Sequence, residues 1–134
     1  MRANVSAGFS VVTYTGNGGT NGSASWGHGL GVRPNLVIIK NRSVTGNWVT
    51  EHKDIPYGRI LLLNSSLSVS DSYPAEFQYH LSTSSLYYVG STSGGSNTNN
   101  NGQNYVAYCF APVVGYSYGE LCGEWIGRWA LCVY

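Results

Sequence analysis

The chain has 134 residues, enough for one domain with a real core. Only 10% of them are charged and the formal net charge is +1, so electrostatic steering toward nucleic acid or an anionic membrane has little to work with. No apolar run approaches the roughly 20 residues of a membrane span, and the N-terminal segment lacks the basic start and apolar block of a signal peptide.

Strand signals recur along the chain with turn residues between them. The first is Phe9–Thr15, where apolar and polar residues partly alternate. Gly16 to Gly31 follows with seven glycines, and is expected to run as turns rather than strand. Leu36–Lys40 and Ile60–Leu63 are near-continuous apolar runs, the pattern of central strands covered on both faces. Trp48–Glu51, Phe77–Leu81, Leu86–Val89 and Tyr105–Ala111 complete the set, rich in the β-branched and aromatic residues that suit a pleated surface. Between the last two lies Ser91 to Gly102, a polar low-complexity stretch expected to be an exposed loop, mobile unless a neighbour orders it. No segment has helical periodicity with caps at both ends. The chain is predicted to be all-β, a two-sheet antiparallel β-sandwich.

The inventory for chemistry is thin. Glu51 and His52 are adjacent, so on a strand they face opposite ways. No spacing argues for the close carboxylate pair of a retaining glycosidase, and no phosphate loop, nucleophile elbow or zinc signature is present. The expectation is a non-enzyme with no catalytic residue, metal or cofactor. Cys109, Cys122 and Cys132 imply no disulfide framework, and Cys109 sits in an apolar run as a core thiol. Sequons at Asn4, Asn21, Asn41 and Asn64 matter only in a glycosylating host.

Candidate ligand contacts are Trp26, His28, Trp48, Tyr57 and position 98 in the polar loop, which is Thr98. His28, bracketed by glycines, reads either as a ligand contact or as a ring bonded to nearby backbone, and the second is favoured. Trp26 and Trp48 suit stacking on a sugar ring, but a tryptophan in a small sandwich is more often core.

Three stretches carry a family likeness. Gly8-Phe9-Ser10-Val11-Val12-Thr13-Tyr14-Thr15-Gly16-Asn17-Gly18, then His28 to Asn41, then Asn104 to Ala111 resemble a repeat domain of marine bacteriophage tail and virion structural proteins. Asn47-Trp48-Val49 and Leu62-Leu63-Asn64 fall between them in matching order. The likeness covers about residues 7 to 116 and implies a concanavalin-like jelly roll, often in tandem, with no catalytic residues. It also implies a virion or extracellular location, self-association or contact with other virion proteins, and a non-enzymatic module that assembles and contacts a host surface. The alternative is a free-standing glycan-binding lectin; a glycoside hydrolase is not expected.

Residues 1–116 are thus expected to form the β-sandwich domain and 117–134 a separate C-terminal tail. The tail departs from the family pattern, and one choice of codons, shifted by a base, spells Ser-Tyr-Val-Gly-Asn-Gly, the opening of a second repeat. If the tail is made as written, Trp125, Ile126, Trp129 and Leu131 must hide apolar surface, which makes them candidate assembly contacts.

Overall fold

A computed structural model of the chain describes residues 1–20, 22–56, 59–66, 81–90, 97–114, 121–122 and 130–131. These residues form strands and turns with almost no helix. The strands are β1 (Arg2–Asn4), β2 (Phe9–Thr15), β3 (Ala24–Gly27), β4 (Leu36–Asn41), β5 (Trp48–His52), β6 (Leu61–Leu62), β7 (Leu86–Val89), β8 (Asn104–Phe110), β9 (Leu121–Cys122) and β10 (Ala130–Leu131). A six-stranded sheet has the order β1-β2-β8-β4-β5-β6, and β3–β7 and β9–β10 form two-stranded sheets. Every pairing is antiparallel.

Alternation along the strands divides the large sheet into two faces. The register lays the inward positions, all buried except the half-buried Tyr14, in rows: Ser10–Cys109–Val37–Glu51, then Val12–Ala107–Ile39–Val49, then Tyr14–Tyr105–Asn41. The small β3–β7 sheet lies against this face. Trp26 on β3 stacks between Tyr14 of β2 and Tyr87 of β7, with ring centroids 5.5 and 5.0 Å away, and Tyr14 stacks in turn on Tyr105 at 5.1 Å. The Tyr87 hydroxyl donates to the buried carboxylate of Glu51 on β5. Four rings and one buried hydrogen bond therefore tie the β3–β7 sheet to the large sheet.

Strands β2 and β7 coincide with their predicted spans, β4 and β5 run one residue further, and β8 starts and ends one residue earlier than predicted. Four expectations are corrected. Within the glycine-rich stretch, Ala24–Gly27 is a strand, because Ala24, Ser25 and Trp26 interrupt the glycines and Trp26 reaches the core. Leu61–Leu62 stands at the end of the sheet among the described residues, not at its centre: its one described pairing is with β5, and Leu63 just beyond it is exposed. Leu36–Ile39 is fully buried on one face alone, since Val37 and Ile39 enter the core while Leu36 and Ile38 are half-buried. The end of the polar loop is also not an exposed tether, for Thr98 and Asn99 are wholly buried. The predicted strand over Phe77–Leu81 falls, up to His80, outside the described residues.

Asn99 shows how so polar a segment goes inside. Its Oδ1 accepts the Asn17 N–H at 3.0 Å, and its Nδ2 donates to Asn17 Oδ1 and to the Gly19 carbonyl, both at 2.9 Å. The Asn99 carbonyl accepts the Gly18 N–H, and the Thr98 hydroxyl donates to the Gly90 carbonyl. A buried amide whose bonds are all made carries little desolvation penalty. Gly16 permits this approach: a Cβ there would collide with the Asn100 carbonyl.

Candidate binding surface

The opposite face of the large sheet is built by the other half of the alternation. Val11, Tyr108 and Ile38 form one cross-strand row, and Thr13, Val106, Lys40 and Trp48 form the next. Most of these side chains are half-buried; Thr13 and Trp48 are exposed. Trp48 stacks on Tyr108 with centroids 6.2 Å apart, and its backbone is fixed by Asn64, whose Oδ1 accepts the Trp48 N–H at 3.0 Å.

At the end of this face a cavity of about 170 Å³ opens between β2, β8 and the turn after β4. Thr13, Tyr14, Thr15, Arg42, Asn104 and Tyr105 line it. Local structure holds each polar group. Asn41 Oδ1 accepts the backbone N–H groups of Ser43 and Val44, which sets the turn, and its Nδ2 donates to Gln103 Oε1 at 2.6 Å. Arg42 N–H donates to the Asn104 carbonyl, and Asn104 N–H to the Ser43 hydroxyl, each at 2.8 Å. The Thr15 hydroxyl donates to Asn104 Oδ1 at 3.0 Å, leaving Asn104 Nδ2 as the remaining donor of that amide. The Lys40 ammonium is 2.8 Å from the carbonyl of the Asn41–Arg42 peptide. Two cations thus stand at one end of the sheet. Of the described acids, Glu51 is buried on the other face, and Asp54 lies in the turn after β5, where it pairs with His52 and Lys53.

A family model described as a domain of unknown function (DUF7483) matches residues 1–127. The chain belongs to this family. No curated protein and no solved structure matches it. The DUF7483 match runs past residue 116 into the segment read above as a tail.

Within this DUF7483 domain the sequence-predicted contacts separate. Trp26 and His28 face the interior, and Thr98 joins them there: its carbonyl accepts the Tyr14 hydroxyl at 2.6 Å, and Tyr14 stacks on Trp26. His28 is bonded to backbone through both nitrogens, with Nδ1 accepting the Leu30 N–H and Nε2 3.3 Å from the Thr83 carbonyl. Burial lowers its pKa, so the ring is neutral near pH 7. Of the four that are described, Trp48 alone reaches the outer face; Tyr57 lies outside the described residues, as do Trp125, Ile126 and Trp129. Leu131 is described only as backbone, paired with Leu121. Of the sequons, Asn4 and Asn64 are exposed, Asn41 is buried, and Asn21 is outside the described residues.

Sequence reasoning missed Thr13, Thr15, Lys40, Arg42 and Asn104. Their i, i+2 spacing on predicted strands was the available signal, since it places Thr13 with Thr15 and Lys40 with Arg42 on common faces. Which strands lie side by side is what brings the pairs together, and spacing does not supply that.

Proposed function

We propose that this domain is a non-enzymatic adhesion module of a virion or tail structural protein, folded as a concanavalin-like jelly roll, and that it contacts glycans on a host surface through the outer face of its large sheet. The observation that carries the reading is that face itself: Trp48 and Tyr108 offer an aromatic platform, and a polar cavity opens at its end. Aromatic side chains beside convergent polar groups are what a sugar needs, with its apolar ring face and its hydroxyl rim. The likeness to phage tail proteins supports the location. The face-to-face aromatic contacts between the sheets support the sandwich.

A free-standing lectin would use the same face, and the two readings differ in assembly. The test is a glycan array probed with the full chain and with Trp48→Ala. A defined set of glycans is expected to be retained by the first and bound about tenfold more weakly by the second, a change of ~1.4 kcal/mol. Retention together with concentration-dependent oligomers in sedimentation supports the virion module; retention by a monomer at every concentration supports the lectin. An array blank for every glycan, with no self-association, would remove both.

A further inference from the structure

We infer that the cavity at the end of the outer face selects an acidic sugar, one whose carboxylate or sulfate group sits between Arg42 and Asn104 while its ring lies toward Trp48. This deepens the adhesion reading and rests on it.

The cavity is a convergence of donors. Arg42 and Asn104 line it with Thr13 and Thr15, and all four are exposed. The Arg42 guanidinium, Asn104 Nδ2 and the Thr13 hydroxyl have no hydrogen-bond partner among the described residues, whereas the Thr15 hydroxyl is spent on Asn104 Oδ1. A guanidinium presents a planar fork that matches a carboxylate or sulfate through paired hydrogen bonds. The lining includes no carboxylate, and Lys40, whose ammonium is 2.8 Å from the Asn41 carbonyl, adds a second cation on the same face. A neutral ligand would leave the guanidinium without a counter-charge; an anionic group completes it.

The sugar part follows from the register. Lys40 lies opposite Trp48, and Arg42 is two residues along from Lys40 on the same side. A sugar whose acidic group is held by Arg42 can run back along the row of Lys40 toward the indole. A bare inorganic anion would use the cavity and not the platform.

Titration of the full chain with glucuronate, glucose 6-sulfate, glucose and acetate, followed by backbone amide NMR, tests the inference. Glucuronate or the sulfated sugar is expected to shift the amides of Thr13, Thr15, Arg42 and Asn104 and to perturb the Trp48 indole; whichever binds more tightly identifies the acid. Glucose and acetate are expected to bind at least tenfold more weakly. Arg42→Gln should lower the acidic-sugar affinity about tenfold with an unchanged spectrum elsewhere, and Arg42→Lys should recover part of it. Equal binding of glucose and the acidic sugars would overturn the acidic specificity while leaving a glycan adhesin standing. Equal shifts with acetate would reduce the site to an anion pocket and overturn the sugar assignment. Binding of acidic sugars that survives Arg42→Gln places them elsewhere and overturns the site. No response to any sugar, with a blank array, removes the adhesion reading as well.

Discussion

Two buried titratable side chains limit the pH range over which the fold is stable. His28 is held neutral by burial, so its folded pKa lies below the ordinary 6.5. Below 6.5 the unfolded chain takes up a proton that the folded chain does not, and stability falls as the pH drops. Cys109 acts at the other end. Burial pushes its thiol from 9.0 up to about 12, so between those values the unfolded chain ionises and the folded one does not. Stability is then lost as the pH rises across that window. Urea midpoints measured across the pH scale should fall on both sides of a neutral plateau. Cys109→Ala should lessen the alkaline decline relative to the parent, at the cost of a small cavity, and the folded thiol should resist alkylation at pH 8.

At the scale of elements, the polar segment around Thr98 and Asn99 is a structural part and not a tether. Replacing Asn99 with Ala removes three part-buried side-chain hydrogen bonds, to the Asn17 N–H, Asn17 Oδ1 and the Gly19 carbonyl. Each such hydrogen bond contributes about 0.5–1.5 kcal/mol net. Asn99→Ala should therefore destabilise the domain by about 3 kcal/mol in denaturant melts, a core-like loss from a residue in an asparagine-rich run. The strands themselves were legible because Phe9–Thr15 and Asn104–Phe110 carry their own pattern of β-branched and aromatic residues. The fate of Asn99 was not legible, since its partners lie some eighty residues earlier and composition says only that amides prefer water. β3 was hidden for the opposite reason: flanking glycines masked a short strand whose reason for existing is Trp26 packing on Tyr87.

At the scale of the whole molecule, β8 is the organising strand. It enters the large sheet between β2 and β4 and so joins the beginning of the chain to its later part. The same insertion builds the candidate site, because Thr13, Arg42 and Asn104 belong to three segments that only β8 makes adjacent. Trp48 was recognisable as an aromatic for sugar stacking; the cavity at the end of its face was not, for it exists only in the assembled register. The boundary after residue 116 is a separate matter. β9 and β10 pair within the segment read as a tail, and the family model reaches residue 127. The out-of-frame reading expects the coding DNA beyond codon 117 to stay open in the shifted frame and to spell further repeats. Sequencing a few hundred bases decides it: a shifted frame soon closed by stops sinks that reading and returns Trp125, Ile126, Trp129 and Leu131 to the list of assembly contacts.

The stack of Tyr14, Trp26, Tyr87 and Tyr105 also gives the domain an optical signature. Trp26 is shielded from solvent, its indole N–H has no hydrogen-bond partner among the described residues, and phenol rings lie on both sides of it. Such an indole emits at the blue end of the tryptophan range and collects excitation from the tyrosines beside it. Trp48, on the outer face, emits to the red and is open to collisional quenchers. With Trp125 and Trp129 replaced by phenylalanine, blue emission therefore reports whether the two sheets remain in contact, and quenchable red emission reports whether the outer face is occupied, so folding and ligand contact can be followed at two wavelengths in one cuvette.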